Sequence, residues 1–265
     1  MLTAASEAPQ RTNFAPSQVD DRVRPHLTLR VALTTPIILI AGTVALYLWV
    51  QTRELDSVEK RVLTSSQLVM ALRQHLVLVG ASTVVVILIA VPLGILLSRR
   101  SARRIAPFAN ASLVAAQSIP SFGLIVLFAL TLGLGARYAI YALIISALLP
   151  VLSNTVAGLE QIDAGLKEAA SGIGMTRGQV LRRVELPLAV PVMLAGVRTA
   201  IVWNVGTATV AAFAGAGGLG TVITVGLVQN RDVVTVVGAT LTAFLAVLLD
   251  HVARIAQELM TPRGL

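Results

Sequence analysis

Glu168-Ala169-Ala170-Ser171-Gly172-Ile173-Gly174, followed after a short gap by Val184-Glu185-Leu186-Pro187, is a polar island between long apolar segments. Asp163 is placed to cap a short helix running through Leu166, Ala169 and Ala170, since a side-chain oxygen satisfies the first free N–H groups of a helix. Gly172 or Gly174 would end that helix, glycine being the residue that turns left-handed at least cost. Thr176 opens a second helix, with Gln179 at capping-box spacing and Met175 and Val180 placed for a hydrophobic staple. Pro187 suits the first position of a further helix, where its missing N–H does no harm. The island therefore reads as a rigid helical elbow.

What surrounds the elbow sets its context. Hydrophobic residues make up 55% of the 265, charged residues only 13%, and mean hydropathy is +0.81. A soluble domain carries about 25% charged residues, so an all-α, polytopic membrane bundle is expected. The net charge of +8 would suggest nucleic acid in a soluble chain. Here the cations flank apolar spans, as the positive-inside rule requires, and no nucleic-acid partner is implied. With no cysteine there is no disulfide, thiol nucleophile or thiolate metal site.

About six spans are expected, each near the 20 residues that cross a bilayer. Residues 1–30 read as a polar, disordered cytoplasmic tail. Residues 31–50 form the first span; a signal peptide competes, but the run is long for one and no small-x-small cleavage site follows. An external connector completes the 31–74 unit. The remaining spans are expected at about 75–98, 112–134, 138–159, 187–214 and 233–256, with a C-terminal tail at 259–265. Alternation then puts both termini, the cationic run from Arg99 to Arg104, and the elbow region 160–186 on the cytoplasmic side.

The elbow resembles the EAA loop of ABC-transporter permeases: Glu168-Ala169-Ala170, Gly174 at the right interval, and Val184-x-Leu186-Pro187 with Val in place of Ile. The resemblance extends over about 75–258. Ala90-Val91-Pro92-Leu93-Gly94-Ile95, Gln117-Ser118-Ile119-Pro120-Ser121, Leu148-Leu149-Pro150 and Gly215-Ala216-Gly217-Gly218-Leu219-Gly220 look like the permeases of glycine betaine/carnitine/choline (osmoprotectant) uptake systems. That resemblance implies the MetI-like importer fold, used as a pair whose interface forms the solute path. It also implies three partners: ABC ATPase subunits, an extracytoplasmic solute-binding protein and a second permease copy. Glu168, Ala169, Ala170, Gly174, Leu186 and Pro187 would couple to the ATPase, which would hold the ATP and magnesium; this chain would need no cofactor and sit in a bacterial inner membrane, in contact with its lipid.

Other features admit more than one reading. Gly215 to Gly220 matches G-x-G-x-x-G, but it follows an apolar span rather than a strand, so a dinucleotide site is rejected. Gly215, Gly217, Gly218 and Gly220 instead suit either a gate that must bend or a simple tight turn. Ser118, Pro120, Asn154, Asn204 and Thr207, with Trp203 beside Asn204, would line a path or merely hydrogen-bond between helices. Arg198 would pair with a carboxylate, cap carbonyls or snorkel. Asp250 and His251, with Arg254 a turn on, would form an interfacial ion pair or a proton relay. The three histidines are scattered, and no catalytic or metal constellation is visible. Two Trp and three Tyr are too dispersed for an aromatic cage, so tight solute recognition is expected in the binding protein. An importer of another solute such as an amino acid, and an ATP-independent carrier, are the competing readings. A carrier would want paired intramembrane ionisable groups or an inverted repeat.

Overall fold

The computed structural model describes residues 29–99 and 118–261, together with residues 102, 108, 111, 112 and 115. The tail expected at 1–30 and the end of the chain beyond 261 lie almost wholly outside the described residues, as does most of the cationic run after Arg99. Among the described residues there is no strand, and five helices are long and apolar enough to cross a membrane.

In chain order the helices are α1 (Leu29–Gln51), α2 (Ser57–Val62), α3 (Ser65–Leu97), α4 (Ser121–Thr131) and α5 (Ala136–Glu160). The elbow follows as α6 (Ala164–Gly172) and α7 (Arg177–Val180), and a π turn at Leu181–Glu185 feeds α8 (Leu186–Val210). A 3₁₀ turn (Ala211–Ala214), the short α9 (Leu219–Val228) and α10 (Asp232–Met260) complete the chain.

α5 lies at the centre, against α3 on one side and α8 on the other. Between membrane helices apolar burial gives little net drive, because lipid is as apolar as leucine, so close backbone packing must hold the bundle. The contacts show how. A Cβ on Gly94 would stand 2.7 Å from the Thr155 side chain, and one on Gly196 would stand 2.6 Å from Asn154 Cβ and the Pro150 carbonyl. Val86, Ala90, Val151, Leu152 and Ala200 close one end of this seam; Leu78, Ile125, Leu143 and Val205 close the other.

Several expected boundaries move. α3 begins at Ser65, ahead of the expected 75, because the polar Gln67 and Gln74 of its first turns belong to the helix rather than to the connector. What remains of the connector is α2, whose capping box joins Asp56 and Glu59. The span expected over 112–134 is represented by α4, whose 11 residues are too few to cross; part of the expected span lies outside the described residues. Gly133 and Gly135, at φ +119° and +121°, turn the chain from α4 to α5. The stretch after the glycines contains α9, an apolar helix also too short to cross. Pro187 stands in the first turn of α8 as expected, but the helix does not begin afresh there: α7, the π turn, α8 and the 3₁₀ turn run on as one 38-residue rod, Arg177–Ala214.

The ends sort consistently. At one end the elbow meets α3, where Arg99 Nη2 bonds Glu185 Oε2 at 2.6 Å. At the other, Gly135 N–H donates to the Ala214 carbonyl (2.9 Å), and Arg231 pairs with Asp56 at 2.8 Å.

Candidate functional site

The elbow forms by the expected capping chemistry. The Asp163 carboxylate accepts from the Leu166 N–H at 3.1 Å, and Thr176 and Gln179 exchange both bonds of a capping box. Gly174, at φ +91°, turns the chain between the two helices, and a Cβ there would meet nothing within 4 Å. Within the chain its role is conformational. Lys167 Nζ reaches back to the Leu159 carbonyl (2.9 Å), placing a cation at the C-terminus of α5 where free carbonyls and the helix dipole favour it.

The six elbow residues separate into two groups. Glu168, Ala169 and Gly174 face outward, beside the 77%-exposed Ile173. Ala170 is buried within its own chain, so its small side chain packs against the bundle and not on the outward face. Leu186 packs with Leu159, Ala189 and Met193, and Pro187 is half-buried. These last three hold the elbow in place; the first three are available to a partner.

The glycine segment lies at the opposite end. Gly215, Gly217 and Gly218 all have positive φ, between +73° and +82°. Gly218 N–H donates to Gln74 Oε1 (3.0 Å), and the fully buried His75 shares a bond with the Val205 carbonyl (3.1 Å) while its Nδ1 lies against Gly218. Gly220 is helical, and its Cβ position is filled by the Thr209 carbonyl. The segment is thus a pinned turn between α8 and α9, tied to the start of α3.

Along α8, the residues Thr199, Val202, Trp203 and Gly206 recur at helical spacing and form an exposed stripe. They border an open groove of about 680 Å³ whose foot is the Arg198–Asp250 ion pair, with Nη2 to Oδ2 at 2.7 Å. A second recess of about 290 Å³, lined by Pro120, Ser121 and Ser146, meets the groove at Trp203. Thr207 also borders the groove and donates to the Trp203 carbonyl.

Not every expected path residue lies there. Asn204 is fully buried, donating to Ser82 Oγ at 3.0 Å, and Asn154 donates to the Pro150 carbonyl at 2.8 Å beneath Gly196. Both belong to helix contacts. Ser118 is exposed just before α4 and is absent from the recess lining. Of the readings open for Arg198, pairing with a carboxylate is the observed one. Asp250 and His251 do not act together: His251 Nε2 bonds instead with the Ala32 carbonyl of α1 at 3.1 Å. No cluster of metal-ligating side chains occurs among the described residues. Sequence reading missed the place of Trp203 between two recesses, and it missed the Arg99–Glu185 and Gln74–Gly218 ties. The Thr199/Trp203/Gly206 periodicity was the available signal for the first; the ties are long-range and left none.

Residues 90–264 match the family described as binding-protein-dependent transport system inner membrane component. The chain is 37% identical over 194 residues to the glycine betaine/carnitine/choline transport system permease protein OpuCB of Bacillus subtilis strain 168, covering 72% of this chain and 88% of that one. It is 43% identical over 178 residues to the osmoprotectant import permease protein OsmY of Salmonella typhimurium, covering 67% and 75%. In fold it is similar to a chain of the MetNI methionine ABC transporter in an inward-facing conformation, with TM-score 0.65 and 24% identity over 74% of this chain and 96% of that one. With its helical bundle, elbow and sequence match together, this chain belongs to the binding-protein-dependent transport system inner membrane component family, the permease subunits of ABC importers.

Proposed function

We propose that this chain is the transmembrane permease subunit of an ATP-driven importer for osmoprotectants of the glycine betaine, carnitine and choline type. The observation that carries the reading is its 37–43% identity, over two thirds or more of its length, to permeases named for those solutes or for osmoprotectant import. The elbow supplies the coupling: its outward face of Glu168, Ala169 and Gly174 receives an ABC ATPase subunit, while Ala170, Leu186 and Pro187 pass the movement into α8. ATP and magnesium belong to that ATPase, and this chain holds neither. The elbow end faces the cytoplasm of a bacterial cell, as do both termini, and the glycine end faces the solute-binding protein. A second permease copy lies across the exposed face of α8, and the solute path runs between the two. Gly215, Gly217 and Gly218 form the outer part of that path; Pro120 and Thr207 border it.

Uptake of radiolabelled glycine betaine, in cells with and without the gene and at low and high osmolarity, tests the reading. Gene-dependent, ATP-dependent uptake competed by choline and carnitine, and not by an amino-acid mixture, is expected. No such uptake with the binding protein expressed would discard the solute.

A further inference from the structure

Trp203 differs from two other rings placed for a cation. Trp49 already has Arg53 over its face at 4.9 Å, and the Tyr138 ring has Arg137 at 4.3 Å. Among the described residues no side-chain cation covers Trp203, which is 54% exposed at the junction of the groove and the recess. An indole face attracts cations through its quadrupole, and quaternary ammonium groups are favoured because little hydration must be lost. Five residues back along α8, Arg198 is about a quarter exposed and engages Asp250 through Nε and Nη2. A guanidinium has five N–H donors; Nε and Nη2 serve Asp250, Glu258 also lies within electrostatic reach, and the Nη1 pair makes no hydrogen bond among the described residues. The groove is therefore lined by both a cation-binding ring and an anion-binding donor, about 7.5 Å apart along the axis of one helix, and its volume is ample for a small zwitterion.

We infer that the permease itself carries a weak solute site in this groove, with a quaternary ammonium group against the Trp203 indole and its carboxylate at Arg198. The inference rests on the osmoprotectant reading above and deepens it. A single indole gives modest affinity, which suits a station on a path: solute must be accepted from the binding protein and then let go. Asp250 keeps Arg198 in place in the membrane and moderates its pull on the carboxylate, so that release is not blocked.

The chain has no cysteine, which permits a direct test. In the assembled transporter in nanodiscs, Val202→Cys is treated with a trimethylammonium methanethiosulfonate reagent, and modification of this chain is read by mass. Glycine betaine at tens of millimolar is expected to slow modification about threefold, as occupancy of a site with a Kd of about 10 mM would; equimolar sucrose should not. Trp203→Leu in the same background should abolish the protection, and Trp203→Phe should retain part of it. An unreactive Val202→Cys, meaning that the second copy covers the groove, overturns the site. So does protection that survives Trp203→Leu. Uptake by the unmodified transporter is measured in parallel. If no quaternary amine is taken up, both readings fall; if uptake is intact and modification unprotected, only this site falls.

Discussion

Gly172 and Gly174 both face open space, yet only Gly174 holds a left-handed φ, +91°. An alanine at Gly172 continues a helix and is expected to be neutral, whereas at Gly174 it meets a strained backbone costing about 1 kcal/mol or more. Gly174→Ala should weaken copurification of the ATPase and lower uptake, and Gly172→Ala should do neither. Equal behaviour of the two would remove the conformational argument. Glu168→Ala, at an exposed position, should leave folding unchanged and cost ATPase binding alone. Asp56 gives a residue-level pH dependence. The Glu59 N–H, then the Arg231 charge and the Val58 N–H, hold its carboxyl below the usual aspartate value, against a desolvation effect that raises it. A depressed acid stabilises the fold above its unfolded value, about 3.9, and that contribution is lost as pH falls through the lower folded value. The α2 cap should therefore be indifferent to pH between 7 and 5 and fail in stronger acid. Hydrogen exchange over residues 57–62, with Asp56→Asn as the pH-insensitive control, measures this.

The π turn decides how the elbow is aimed at α8. Leu186 N–H bonds the Leu181 carbonyl, five residues back, and Pro187 next to it has no N–H to give. A π turn inserts one residue into the helical register, and here it absorbs the proline that would otherwise clash with the preceding turn. Replacing Pro187 by Ala restores a donor and removes the clash, so the turn can tighten and rotate the elbow by about 100° against α8. Pro187→Ala should yield a folded transporter with intact ATPase binding and markedly reduced uptake per ATP hydrolysed; unchanged coupling would show the turn to be incidental. The Arg99–Glu185 pair clamps the same point from α3, with the Glu185 side chain only 8% exposed. Removing Arg99 strands the largely buried Glu185 carboxylate at a cost of about 2 kcal/mol, and removing Glu185 strands the one-third-exposed Arg99 at less. In detergent, Glu185→Ala and Arg99→Ala should each lower thermal stability, and the double variant should lose less than their sum. Caps and the elbow motif were legible because capping is local: Asp163, Thr176 and Gln179 act within three residues. The π turn escaped because Pro187 reads equally as a helix start. α9 escaped because glycines mask an apolar run too short to register as a span. The start of α3 was displaced because Gln74 looks like connector until Gly218, far along the chain, supplies its partner.

At the scale of the molecule, α1 stands apart from the bundle. None of its membrane window is buried, and it packs on α10 rather than on the α3–α5–α8 core. The family match begins at residue 90, after α1 has ended. Among the contacts that hold it are Phe244 against Gly42, where a Cβ would stand 2.6 Å from the ring, and His251 against the Ala32 carbonyl. A helix joined to the rest at one seam can be loosened without disturbing what lies beyond that seam, because packing effects at well-separated sites are nearly additive. Gly42→Leu adds a side chain where there is no room, an overpacking cost of about 1–3 kcal/mol. It is expected to speed hydrogen exchange in α1 while leaving α5 and α8 unchanged, and to leave glycine betaine uptake within about twofold of the parent. If uptake collapsed while the elbow and the α8 groove kept their exchange protection, α1 would have to act through α10 on the Arg198–Asp250 pair. The solute path would then include a helix that touches no part of the groove.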